Sequence, residues 1–123
     1  MKKLLIGTVV CAISMFGAAT AGEKLTKEEV LALISDSNYS AKNPVRGTVT
    51  NGAVSADGSL SATSSDGTSQ SGTWKVMDNG EYCTDWNGSW KSGCAPFEKT
   101  EDPNVFTRGL GNSTPANFSF KKK

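Results

Sequence analysis

The stretch GTWKVMDNGEYCTDWNGSWKSGCAPF, residues 72–97, decides the fold. In Trp74-Lys75-Val76 and Tyr82-Cys83-Thr84-Asp85-Trp86 the residue types alternate with period two, as they do along a β-strand. Trp74 and Val76 therefore share one face of their strand, and Tyr82, Thr84 and Trp86 one face of theirs. Asp78-Asn79-Gly80 between the two runs suits a tight turn. The cysteines then choose the register of the next hairpin. With Asn87-Gly88 as the two central turn residues, Cys83 would face Ser92 and miss Cys94. A four-residue connection, Asn87 to Trp90, pairs Trp86 with Lys91 and sets Cys83 directly opposite Cys94, at a non-hydrogen-bonded position where side chains lie closest. The wider loop is the expected one.

That register needs Cys83 and Cys94 to be partners, and the N-terminus bears on this. Met1-Lys2-Lys3 precedes an apolar run from Leu4 to Ala19, too short to cross a bilayer comfortably, which closes on Ala19-Thr20-Ala21. These are the parts of a cleavable export signal, with cleavage expected after Ala21 and a single small domain over residues 22–123. Cys11 lies inside the signal without the small residues that precede a lipid-modified cysteine, so it leaves with it. Of three cysteines two remain, and an even count in an oxidising compartment points to one disulfide rather than two free thiols. Closing a loop of about a dozen residues contributes roughly 3 kcal/mol in the chain-entropy model. The charge changes too. Thirteen Lys and Arg stand against twelve Asp and Glu, a formal +1, and without Lys2 and Lys3 eleven stand against twelve. No basic field for nucleic acid is encoded, and no stable membrane insertion is expected after cleavage. The chain has no histidine, which excludes Ser-His-Asp and Cys-His catalysis and the commonest zinc ligand. No metal or cofactor is expected.

Upstream, Leu25-Thr26-Lys27-Glu28-Glu29-Val30 is a helix start. Thr26 and Glu29 can form a capping box, Leu25 can staple onto Val30, and Glu28 and Glu29 suit the positive end of the helix dipole. Val30, Leu33 and Ile34 form one apolar face, predicting a helix over residues 27–34 that lies on a sheet and ends at Ser35-Asp36-Ser37-Asn38. From Asn43 onward turn pairs recur: Asn51-Gly52, Asp57-Gly58, Asp66-Gly67 and Asn79-Gly80. The strands expected between and after them are Val45–Thr50, Ser59–Thr63, Ser71–Val76, Glu81–Trp86, Trp90–Phe97, Asn104–Arg108 and Ala116–Phe120. The Ser/Thr-rich segment from Ala53 to Gly72 reads as two solvent-facing strands with little core contact. The fold expected is mainly β: a short N-terminal helix packed on an antiparallel meander of six to eight strands, curled into a small lipocalin-like barrel with one disulfide.

Several side chains are candidate functional groups. Trp90, Trp86 and Tyr82 can form an aromatic platform for a ligand, although Trp74 and Trp86 serve equally as core, and Trp90, in the proposed turn, is the aromatic expected to be most exposed. Glu81 and Asp85 are the acid and base a small hydrolase would need, and equally the wet face of a strand. Asp57 and Asp66 read as ordinary Asp-Gly turns rather than calcium ligands. Lys121-Lys122-Lys123 reads as a solvated tail that keeps an edge strand from pairing.

Gly72-Thr73-Trp74-Lys75-Val76, followed by Tyr82-Cys83-Thr84-Asp85-Trp86 and Gly93-Cys94, resembles an uncharacterised family of small exported bacterial proteins, a domain of unknown function. In that family a Leu-Thr-x-x-Glu helix start precedes an Asp-Gly turn, a Gly-x-Trp-x-Val strand and a Cys-x-x-Trp hairpin closed by a second cysteine. The matching positions here are Leu25, Thr26, Glu29, Asp57, Gly58, Gly72, Trp74, Val76, Cys83, Trp86 and Cys94, so the likeness spans about residues 25–97. It implies fold and export and supplies no catalytic residue. The expectation for function is a non-enzymatic periplasmic or secreted binding module for a small molecule, a glycan or a protein, one form of which is an inhibitor of a cell-wall-degrading enzyme. The alternative is the hydrolase.

Overall fold

A computed structural model describes residues 21–111 and 113–123. The signal assigned to residues 1–21 falls, Ala21 apart, outside them. One helix, α1 (Lys27–Ile34), precedes nine strands: β1 (Ser37–Lys42), β2 (Val49–Val54), β3 (Ser59–Ser64), β4 (Ser69–Val76), β5 (Tyr82–Trp86), β6 (Gly93–Ala95), β7 (Glu98–Lys99), β8 (Phe106–Arg108) and β9 (Ala116–Lys122). They form one antiparallel sheet in the order β6-β5-β4-β3-β2-β1-β9-β8-β7, curled into a half-barrel. The mainly β class, the short helix and the disulfide are as expected, and the strand count among the described residues is nine.

The helix begins as its sequence requires. The Thr26 hydroxyl accepts from the Glu29 amide at 3.2 Å, and the Glu29 carboxylate accepts from the Thr26 amide at 2.8 Å. Val30 and Ile34 are fully buried, and α1 packs on β1, β4 and β9, plugging one end of the half-barrel. There they meet Leu25, Val54, Leu60 and Phe97 in a continuous apolar cluster. Phe97, between β6 and β7, is its hub: wholly buried, it stacks on Tyr82 at 5.4 Å and meets Phe118 and Phe120 edge-on at 5.2 and 5.4 Å.

Register decides which side chains face this interior. Val76 pairs with Tyr82, Tyr82 with Ala95, and Trp74 with Thr84, so the inward faces of β4 and β5 are one face of the sheet. Cys83 lies opposite Cys94 on the other face and is bonded to it, with Cα atoms 3.9 Å apart, the closer of the two antiparallel spacings. The expected register is therefore present. Its ladder ends at Thr84↔Gly93, however, and in place of a pairing with Lys91 the Trp86 amide donates to the Ser92 hydroxyl at 2.8 Å.

Four expectations are corrected. Asn51-Gly52 is the middle of β2, with no turn there: Gly52 sits between Tyr39 of β1 and Ala62 of β3. A Cβ on Gly52 would collide with the Tyr39 ring, so this glycine makes room for an aromatic neighbour instead of bending the chain. The turn lies earlier, where the Asn43 side chain accepts from the amides of Val45 and Arg46, and Val45 is exposed in it rather than in a strand. Residues 37 and 38, read as the loop after the helix, open β1, whose Ser37, Tyr39 and Ala41 all point into the core. The lysine tail is solvent-exposed as expected, but most of it is strand rather than a free end. Lys121 and Lys122 belong to β9, which is interior to the sheet between β1 and β8, and Lys122 Nζ donates to the Ser35 carbonyl at 2.6 Å. The segment from Ala53 to Gly72 is β-structure whose inner face reaches the core through Leu60 and Ala62.

Candidate functional site

At the end of the half-barrel opposite α1, the inward side chains enclose a cavity of about 330 Å³. Small-molecule sites run from roughly 300 to 1,000 Å³, so it stands at the lower end of that range. One wall is β5, which by alternation points Tyr82, Thr84 and Trp86 inward. Gln70 of β4 folds the β5–β6 connection over this wall: its Oε1 accepts from the Trp90 amide at 3.1 Å and its Nε2 donates to Ser89 Oγ at 3.2 Å. Trp90 is thereby turned inward, half-buried, with its ring edge-on to Trp86 at 4.9 Å. The expectation that Trp90 would stand exposed is corrected, because two side-chain bonds from Gln70 hold its loop down. Tyr82, Trp86 and Trp90, three separate positions in the sequence, line one cavity. Tyr39 and Phe118 line the opposite side.

The half-barrel is closed at its seam by a side chain. Among the described residues no backbone ladder joins β6 to β7 or β8. Arg108 of β8 spans the gap, donating from Nε to the Ala95 carbonyl at 3.1 Å and from Nη2 to the carbonyls of Tyr82 and Gly93 at 2.7 and 3.3 Å. Its guanidinium carbon stands 4.9 Å from the Tyr82 ring centre and 5.9 Å from that of Phe97, within cation–π range. Burial pushes the guanidinium below its ordinary range, partly offset by Tyr82, Tyr39 and Glu81. Arginine nonetheless keeps its charge. No carboxylate makes an ion pair with it among the described residues. Burial likewise drives the Tyr39 phenol up to about 12 and Tyr82 further in the same direction.

Thr84 is the other unusual group on this wall. It is 7% exposed, and its hydroxyl finds no hydrogen-bond partner among the described residues. Thr48, Thr50 and Ser64 add hydroxyls, and Arg46, Asp66 and Lys91 complete the charged lining, so that with Arg108 three cations stand against a single carboxylate.

Sequence reasoning missed Arg108 and Thr84. Arg108 sits two residues after Phe106, and both point inward with period two. The alternation was available as a signal, but an arginine at the end of a short strand reads as solvent-facing unless its partners across the seam are known.

Glu81 and Asp85 do not line the cavity. Asp85 is exposed on the outer face of β5, paired with Thr73, and Glu81 precedes the strand. The Asp57 carboxylate accepts from the Ser59 hydroxyl and amide and that of Asp66 from the Thr68 amide, bonds that hold both below the usual carboxylate range, as in ordinary turns. Among the described residues no cluster of His, Cys, Asp or Glu side chains is arranged to hold a metal ion, and no helix is long and apolar enough to cross a membrane. The chain matches no family model and no curated protein.

Proposed function

We propose that this protein is an exported, non-enzymatic binding module that holds a small molecule in the half-barrel cavity. One observation carries the reading: Tyr82, Trp86 and Trp90 converge on a concavity whose far end is plugged by α1 and whose near end is left to polar side chains. Aromatic walls with a few convergent polar groups are what a small-molecule site needs, since the rings supply contact area at little entropic cost and the polar groups fix orientation. Export is supported by the signal-like N-terminus, the resemblance to exported bacterial proteins and the Cys83–Cys94 bond, a linkage that persists in oxidising compartments. Hydrolysis by Glu81 and Asp85 has less in its favour, because Asp85 lies on the face of β5 opposite the cavity that Tyr82, Trp86 and Trp90 line.

The test is a thermal-shift screen of a small-molecule library against the oxidised protein and Trp90→Ala. Compounds that raise the melting temperature of the first and not the second are expected. A screen in which no compound distinguishes the two proteins defeats the reading. N-terminal sequencing of the protein recovered from the periplasm or the medium should begin at Gly22, and recovery only from the cytoplasm with Met1 in place rules out export.

A further inference from the structure

Arg108 is a partly buried cation that no carboxylate pairs with among the described residues, and that shapes what the cavity can take. Removing a charge from water is costly unless hydrogen bonds and an opposite charge make it good. Here the hydrogen bonds are present: three carbonyls accept from Nε and Nη2, and two rings face the guanidinium. The opposite charge is felt only at a distance, since Glu81 acts on the guanidinium electrostatically but no carboxylate forms an ion pair with Arg108 among the described residues. Nη1 takes no part in those three bonds. Thr84 lies directly across the ladder from Gly93, whose carbonyl Arg108 holds, and it lines the same cavity with its hydroxyl unpartnered. Structural arginines buried only for support are generally matched by a carboxylate, and threonines buried only for packing usually return their hydroxyl to the backbone. Neither happens here.

The rest of the lining narrows the class. Arg46 and Lys91 at the mouth add to a positive potential that Asp66 only partly offsets. Trp86 and Trp90 lie two and six residues along the chain from Thr84, towards that mouth, so an apolar body would rest on them while a charged end reached Arg108. A doubly charged head would bring a second charge into an aromatic wall that has only one buried cation to meet it. Resting on the cavity reading above, we infer that the ligand is a monocarboxylate with an aromatic or aliphatic body. Its carboxylate accepts from Arg108 Nη1 and from the Thr84 hydroxyl, and its body packs on Trp86 and Trp90.

Three carboxylates, hydrocinnamate, indoleacetate and decanoate, are titrated into the oxidised protein, each beside its uncharged primary amide, with inorganic phosphate as a bare anion. Tryptophan fluorescence and calorimetry are the readouts. At least one carboxylate is expected to bind at least about tenfold more tightly than its amide, because charge-assisted bonds are roughly twice as strong as neutral ones. Thr84→Val should weaken that carboxylate several-fold and leave its amide unchanged. Arg108→Gln should erase the difference between the two, and Arg108→Lys should restore part of it. If Arg108→Gln fails to fold, the carboxylate-to-amide ratio and the Thr84→Val arm decide the matter without it. A carboxylate and amide that bind equally, both lost in Trp90→Ala, overturn the anion assignment and leave the cavity as a binding site. Phosphate that competes as well as the carboxylates overturns the apolar-body assignment. No binding by any member of any pair overturns the cavity reading itself.

Discussion

The two ends of the half-barrel are built from the same nine strands and packed by opposite rules. At the plugged end, Val30, Ile34, Val54, Leu60 and Phe97 close on one another, and the one polar side chain wholly buried beside them, Ser37, returns its hydroxyl to the Leu33 carbonyl at 2.8 Å. At the open end the inward positions of the same strands carry Thr50, Ser64, Thr84 and Arg108, and the aromatic residues lean on a cavity instead of filling it. Stability is thus concentrated at one end, while the other holds groups that detract from it. Such a division is expected where a fold reserves part of its interior for something other than its own side chains.

The largest effect that would test this contrast is Phe97→Ala. It removes the hub of the plugged end and should cost about 3–5 kcal/mol in denaturant unfolding. A loss below about 1 kcal/mol would mean that the plugged end is not where the fold is held. Next is the disulfide on the outer wall. Replacing Cys83 and Cys94 together by Ala should lower stability by about 2–4 kcal/mol through freedom returned to the unfolded chain. The loss should appear in the unfolding midpoint with the helix signal intact in the native baseline, whereas a protein equally stable without the bond would contradict this.

The tyrosines give an alkaline limit. Both tyrosines of the chain, Tyr39 and Tyr82, are buried with raised pKa values. A phenol that is harder to ionise when folded stabilises the fold fully below its unfolded value near 10. That contribution disappears as pH climbs through the folded value, which for Tyr39 is about 12. Two pH units correspond to up to about 2.7 kcal/mol. Phenolate absorbance should therefore rise cooperatively with loss of structure between pH 10 and 12, and independent titration of either ring near its ordinary value would show that it is solvated.

The smallest effect has the opposite sign. Thr84→Val removes a buried hydroxyl that has no partner and should stabilise the protein by about 1 kcal/mol. Destabilisation of similar size would mean that the hydroxyl is satisfied after all, and the contrast between the two ends would be weaker by that group.

What could be read from the sequence divides along similar lines. The helix start was legible because a capping box is local, four consecutive positions whose side chains satisfy their own backbone. The register at Cys83 and Cys94 was legible because one covalent constraint leaves a single pairing. β1 was not, since Ser-Asn-Tyr-Ser-Ala-Lys alternates between small and polar residues and acquires its inward face only from β2 and β9 on either side. Asn51-Gly52 misled for the complementary reason: a pair that permits a turn is also the pair that permits a large ring to cross a strand. At the site, the three aromatic residues could be named but not brought together, because the loop that carries Trp90 is positioned by Gln70, twenty residues earlier. Arg108 was out of reach, because a buried arginine is defined by carbonyls on other strands.

The place of β9 also bears on when the fold can exist. Its last residues pair with the beginning of β1, and Lys122 reaches the Ser35 carbonyl across a separation of 87 positions. Among the described residues β1 to β6 and β7 to β9 each pair only with their neighbours along the chain, so the single long-range strand pairing, β1 with β9, is the step that joins the two halves of the sheet. Closing that pairing carries the largest loop entropy and should come last, setting a folding time of milliseconds to seconds rather than microseconds.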